Sequence, residues 1–364
     1  MRQDRLPPKK VVTYFYQENI LNTFTFPPIP RLSDTLRSSL QDKIAAKAKP
    51  LGSLGRMEDL AIQVGLIQET LTPHINQIEA LVFAGDHGMN AEGVSAFPSA
   101  VTHLMVSTFL ANKASVNAFA QGCDVDVKVV DAGVDADLNP HPSLIIKKVR
   151  KGTRNAALES ALTLNEVQQA LKSGIEIAQD SSAQVMIIGE MGIGNTASAA
   201  LIMHRLAPTE LNACIGMGAG HDDEGLKRKT EVIHRAAART ETTDPMEVLQ
   251  EFGGLEIVMM SGAYIGGASR KKIMVVDGFI SSAAALAAIR MVPEVRDYLV
   301  FSHVSAERGH RLLLEAIQAE PLLNLQMRLG EGSGGVLVAP MIRAAAHLMS
   351  STASLQEVLE GRLN

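Results

Sequence analysis

The stretch AQVMIIGEMGIGNTASAAL, residues 183–201, decides the fold class. Its opening residues are almost continuously apolar, the pattern of a strand buried on both faces. Glycines follow at 189, 192 and 194, and then an alanine-rich run with helix-forming character. A strand that passes through a glycine turn into a helix is half of a βαβ unit. Four other stretches share this texture: IEALVFAGDHG (78–88), VDVKVVDAGVD (125–135), KKIMVVDGF (271–279) and YLVFSHVSAERG (298–309). One-faced helices such as ALTLNEVQQALKSGIEIAQD (161–180) lie between them. The expectation is an α/β fold with a parallel sheet flanked by helices. Ligands of such sheets sit beyond the carboxyl ends of the strands, where all five stretches turn polar or glycine-rich.

Outward from this centre the texture changes. Ser33 or Asp34 is placed to cap a helix over LRSSLQDKIAAKAK (36–49), and EDLAIQVGLIQETL (58–71) carries Leu60, Val64, Ile67 and Leu71 on one face. VLVAPMIRAAAHLM (336–349) predicts another helix near the C-terminus. The proline-rich residues 1–33 show no sustained period and read as an extension.

The chain has 364 residues, 46% of them hydrophobic, enough to fill a sizeable core. Lys and Arg number 34 against 39 Asp and Glu, so no basic excess exists to neutralise nucleic-acid phosphates. Two cysteines, Cys123 and Cys214, are too few for a disulfide framework or a cysteine-based zinc site. No apolar run approaches the ~20 residues that span a bilayer, and the N-terminal segment lacks a secretory apolar stretch. A cytoplasmic protein without membrane or nucleic-acid partners is expected.

The glycine turn at 189–194 brings Glu190, Asn195 and Thr196 to a helix start, where backbone N–H groups favour an anion. It lacks the Walker lysine, and its G-x-x-G-x-G spacing differs from the dinucleotide fingerprint. A purely structural turn is the competing reading. In CIGMGAGHDDEGLKRK (214–229), Gly216 and Gly218 precede His221, Asp222, Asp223 and Glu224. Such acids at a helix start more often complement the helix dipole than bind metal. One of Lys227, Arg228 and Lys229 is within reach of a phosphate, although a solvated face is the simpler reading. Gly262, Gly266 and Gly267 in a helical pattern fit close packing or ligand contact equally well. Asp86 and His87 end one strand and Asp277 another. Each is either an acid–base or metal group or a hydrogen-bonded pair shaping the site mouth. In MRLGEGSGG (327–335), Glu331 is a lone carboxylate among glycines, and partial burial would raise it toward a general base's range. An incidental Glu in a turn competes with that reading. These residues favour transfer at a phosphorylated sugar over hydride transfer or hydrolysis. A metal-dependent phosphatase on Asp86, His87, Asp222 and Asp223, or a non-catalytic nucleotide-binding protein, is the alternative.

Six segments in order, KPLGSLGRMEDLA (49–61), AGDHGMNAEGVSAFP (84–98), GEMGIGNTASAA (189–200), VVDGFISSAAALAA (275–288), SHVSAERGH (302–310) and MRLGEGSGG (327–335), together resemble the nicotinate-nucleotide–dimethylbenzimidazole phosphoribosyltransferase family of cobalamin assembly. The resemblance implies transfer of the 5-phosphoribosyl group of nicotinate mononucleotide to 5,6-dimethylbenzimidazole or a related base, with inversion. It implies Glu331 as the base and Glu190 as a second functional carboxylate. Gly192, Gly194, Asn195, Thr196, Gly216, Gly218, Asp277, Ser302, Ser305, Gly330 and Gly332 fall to the nucleotide under it. Asp86, His87, Phe97, Met105 and Leu329 fall to the base pocket. Phe97 and Met105 stand where the family has a Ser and a Gln, so the preferred base is open, and both also fit a core role. No cofactor and no metal is implied. The implied architecture is a Rossmann-like large domain over 76–320, with a smaller helical domain from 34–75 and 321–364. A homodimer with the site near its interface is implied as well.

Overall fold

The computed structural model describes residues 24–218, 220 and 222–363. Six parallel strands form one sheet: β1 (Ile78–Gly85), β2 (Asp126–Gly133), β3 (Leu144–Ile146), β4 (Val185–Met191), β5 (Ile273–Val276) and β6 (Leu299–Phe301). Their order is β3-β2-β1-β4-β5-β6. The chain winds outward from β1 in one direction and from β4 in the other. That makes the gap between the carboxyl ends of β1 and β4 the topological switch point, where open α/β sheets bind ligands.

The strands form where expected because Val, Ile, Leu and Met fill both faces. Every residue of β1, β4, β5 and β6 is buried. β3 was not expected. It is a three-residue, half-exposed edge strand, too short to stand out as an apolar run. Phe83 of β1 pairs with Glu190 of β4, so the register carries Glu190 to the top of the sheet.

On one face, the helix Leu164–Asp180 packs against the helix Leu255–Ser269. Its start is fixed by a capping box: the Thr163 hydroxyl accepts from Glu166 N, and the Glu166 carboxylate accepts from Thr163 N at 2.7 Å. A Cβ at Gly262 would overlap the Leu171 carbonyl, and one at Gly266 the Ile175 carbonyl. Of the two readings of these glycines, the structure selects close helix packing.

The helices Asp34–Ala45, Arg56–Ile67 and Ala339–Ser351 bring both chain ends together. Ala48 N donates to the Ala353 carbonyl and Leu355 N to the Ala46 carbonyl, each at 2.9 Å. The apolar core continues from the sheet through Leu40, Val64 and Ile342. Of the extension expected over 1–33, positions 1–23 lie outside the described residues, as does His221. The described part rests on the core: the Phe24 and Phe26 rings meet edge-on, and the Tyr298 hydroxyl donates to the Pro30 carbonyl at 2.8 Å. Among the described residues no helix is long and apolar enough to cross a membrane.

Candidate active site

Loops after β1, β4, β5 and β6 meet the segment Arg328–Glu331 above the sheet and enclose a cavity of about 270 Å³. The β4 loop supplies Glu190, Gly192, Gly194, Asn195 and Thr196. Phe97, Met105 and Leu329 give the lining its apolar area, and Arg328, Ser305, Glu307 and Gly218 line it as well. The helix Asn195–Leu206 begins at this cavity, and Gly194 before it has φ +96°. Its first amides and the N-terminal end of its dipole favour a bound anion.

The Glu331 loop is built from left-handed backbone: φ is +84° at Gly330, +63° at Glu331 and +82° at Gly332. The Asp277 carboxylate clamps it, accepting from Gly332 N at 3.1 Å and Gly335 N at 2.8 Å. Gly189 lets it lie directly on β4, since a Cβ there would come within 2.6 Å of the Glu331 carbonyl oxygen. The loop therefore carries Glu331 next to Glu190. Both are nearly buried, at 6% and 5% exposure.

These carboxyl groups crowd one another in a dry patch. Burial, then the Asp277 charge, pushes Glu331 up to about 7, with the Val116 backbone N–H pulling the other way. Burial, then the charges of Glu256, Asp277 and Glu331, pushes Glu190 up to about 8, although the Asn195 amide donates to it. Burial also lifts Asp277 to about 7 against its loop N–H bonds. Such groups cannot all ionise together, which keeps protonated and ionised carboxyls side by side near neutral pH. Among the described residues Glu331 Oε2 is buried without a hydrogen-bond partner.

Lys229 is a correction to its simpler reading. It is not on a solvated face but 1% exposed, donating from Nζ to Thr196 Oγ1 at 2.8 Å and to the Gly216 carbonyl at 3.0 Å. Burial lowers it to about 8, opposed by the Glu307 charge. Asp222 caps this helix, accepting from Gly225 N at 2.8 Å, which is the dipole role expected for the acidic cluster.

Several expected site residues stand behind the cavity wall instead of on it. His87 pairs with Glu256 at 2.6 Å, and the Asp86 carboxylate accepts from Asp135 N at 2.8 Å. Neither joins Asp222 in a metal site, and among the described residues no three His, Cys, Asp or Glu side chains are grouped to hold a metal. Asp277 and Gly332 are the clamp and its target. Ser302 donates to the Asp277 carbonyl at 2.9 Å, and Gly216 lies beneath Glu307. None of Asp86, His87, Gly216, Asp277, Ser302 and Gly332 lines the cavity. Glu190, Gly192, Gly194, Asn195, Thr196, Gly218, Ser305, Gly330, Glu331, Phe97, Met105 and Leu329 all line the cavity.

A family model described as a phosphoribosyltransferase matches residues 29–358. A nicotinate-nucleotide–dimethylbenzimidazole phosphoribosyltransferase of Cupriavidus necator is 45% identical over 333 residues, 90% of this chain and 96% of that protein. The chain belongs to this phosphoribosyltransferase family. A member from Vibrio vulnificus is 44% identical over 338 residues, covering 89% of this chain and 98% of its own. The crystal structure of the member from Thermus thermophilus superposes with a TM-score of 0.86 at 38% identity, covering 92% of this chain and 99% of the other.

In this phosphoribosyltransferase, three polar residues at or behind the cavity went unread in the sequence: Arg328, Glu307 and Glu256. Arg328 reaches the Gly218 carbonyl from a loop with no periodicity. Lys229 did carry a signal. It falls three residues after Leu226 and three before Val232, on the apolar stripe of its helix.

Proposed function

We propose that the chain transfers the 5-phosphoribosyl group of nicotinate mononucleotide to 5,6-dimethylbenzimidazole or a related base, giving α-ribazole 5′-phosphate and nicotinate for cobalamin assembly. The observation that carries this reading is Glu331: a carboxylate with one unbonded oxygen, held in the cavity beside an anion-favouring turn. The phosphate sits at the turn Gly192–Asn195, with Lys229 behind Thr196 supplying positive charge.

The azole nitrogen of the acceptor attacks C1′ of the ribose from the face opposite the pyridinium. The C1′–nitrogen bond to nicotinate breaks, and its electron pair stays on the leaving ring, which departs neutral. The new bond leaves a positive charge on the acceptor until its second nitrogen gives up its proton to Glu331. Raised to about 7, Glu331 is both ionised enough to accept and basic enough to hold that proton. Glu190, raised to about 8, is still protonated and can donate to the nucleotide. Phe97, Met105 and Leu329 make an apolar wall suited to the flat base. Their apolar rim, with exposed Leu104, supports a homodimer whose second copy covers the cavity mouth. Work in the cytoplasm as that dimer is part of the proposal.

The test is nicotinate release from nicotinate mononucleotide, with and without added base. Release should depend on the base. Glu331→Gln should lower kcat on the order of 10²–10⁴-fold while calorimetric nucleotide binding persists. Full turnover in that variant would reject the role given to Glu331.

A further inference from the structure

Behind the Gly192 turn lies a buried ionic pair that this mechanism does not use. His87 Nε2 and Glu256 Oε1 are 2.6 Å apart, with side chains 3% and 0% exposed. His87 follows β1, and Glu256 is the second residue of the helix Leu255–Ser269, so the pair ties the end of a central strand to a helix start 169 residues away. Among the described residues the other Glu256 oxygen is buried without a hydrogen-bond partner. A buried pair left so incompletely bonded is a poor source of stability, and two apolar side chains would serve the fold as well.

Three glycines give the pair its place. A Cβ on Gly85 would stand 2.9 Å from Glu256 Oε2, and one on Gly254 would overlap both side chains. One on Gly192 would overlap the Gly85 carbonyl oxygen at the end of β1, and would stand 3.1 Å from Glu256 Oε1 and 3.3 Å from His87 Cδ2. The Gly192 turn thus rests on the Gly85 carbonyl with the pair flanking it, and three residues later Asn195 donates to Glu190. We propose that the His87–Glu256 pair is a positioning device for the transfer, holding the Gly192 turn so that Asn195 and Glu190 meet the nucleotide in one fixed arrangement. This role rests on the cavity being the site of that transfer.

The pair also acts through its charge. Glu190 faces Glu256 from one side and Asp277 and Glu331 from the others, with the Asn195 amide bonded to it. Glu331 answers instead to burial, Asp277 and the Val116 N–H. His87 itself faces Glu256 and Asp86; burial disfavours its charged form, and the carboxylates outweigh that and raise it. Removing the Glu256 charge should therefore make Glu190 ionise more readily, and act on Glu331 less, through Glu190 alone.

Glu256→Gln keeps the side-chain shape and removes the charge. The pH profile of kcat/KM for nicotinate release is compared in wild type, Glu256→Gln, His87→Gln and His87→Ala. In Glu256→Gln the upper limb, in which Glu190 has the larger share, should move down by about one pH unit, and the lower limb, in which Glu331 has the larger share, should move less. In His87→Ala, which removes the ring beside the turn, kcat should fall at least about tenfold, because misplacing a positioned group by about 1 Å costs up to 10²-fold. His87→Gln, which keeps a donor for Glu256, should retain more kcat than His87→Ala. A folded Glu256→Gln with both limbs in place and kcat unchanged overturns the proposal, as does a lowered melting temperature with no change in the profile. If Glu256→Gln does not fold, equal kcat in the two His87 variants overturns it. A wild type that never releases nicotinate rejects the cavity reading and this role with it. An active wild type with an unmoved variant profile rejects the pair's role alone.

Discussion

Gly189→Ala tests whether the Glu331 loop must lie on the bare backbone of β4. The new Cβ would stand 2.5 Å from the Glu331 carbonyl carbon and 2.6 Å from its oxygen, and would overlap Gly332 N. All of these atoms are main chain, so no side chain can swing aside. Ordinary contact begins near 3.4 Å, and the loop must retreat by about 1 Å. The Asp277 bonds to Gly332 N and Gly335 N resist that retreat. Overpacking of this kind costs about 1–3 kcal/mol, which a core of this size can absorb. A base displaced by about 1 Å loses on the order of 10²-fold in rate. The assay is nicotinate release at saturating substrates beside a thermal melt. We expect a folded variant with a modestly lower Tm, a kcat reduced about a hundredfold, and a nucleotide KM that moves less. Gly122→Ala is the control, because nothing lies within 4 Å of a Cβ there. A folded Gly189→Ala with wild-type kcat would refute the idea that backbone contact places Glu331.

Lys229→Met fills the same space without the charge and should raise the KM for nicotinate mononucleotide at least about tenfold with a smaller change in kcat, read from initial rates. Met105→Gln and Phe97→Ser open a polar wall. A panel of benzimidazoles and purines should show the preference shifting toward bases with hydrogen-bonding edges, and an unchanged ranking would move both residues out of the acceptor pocket. Melting curves check the pH linkage. Glu331 rises from 4.5 to about 7 on folding, so its stabilising contribution is complete below pH 4.5 and is lost as pH climbs through 7. Glu331→Gln removes that loss, worth up to ~3 kcal/mol. Its Tm relative to wild type should therefore increase between pH 5 and pH 8, and a constant difference would contradict the raised carboxyl.

What could be read in advance followed from local chemistry. β1, β4, β5 and β6 announce themselves because a strand covered on both faces has little choice but Val, Ile, Leu and Met, and β2 because its second half is buried in the same way. The edge strand β3 did not, because three half-exposed residues make no pattern. The Glu331 and Glu190 loops stood out because glycine clustered around a single acid is uncommon. The support structure was hidden for a different reason. Asp277 bonds to amides 55 and 58 residues further on, and His87 meets Glu256 across 169 residues. No window of sequence contains both partners, so a strand-end Asp or His looks the same whether it touches ligand or braces a loop. Lys229 was readable from its helical stripe, but a neighbouring Lys and Arg disguised it as part of a surface run.

The backbone at position 331 sets side-chain length against main-chain ease. A residue at φ +63° between two left-handed glycines is ground where glycine, asparagine or aspartate is at ease and a longer side chain is not. Any of those three would ease the main chain there. Shortening to Asp would ease the main chain yet withdraw the acid from its target by a methylene. The strained posture of the longer acid is thus the cost of the distance its carboxylate spans.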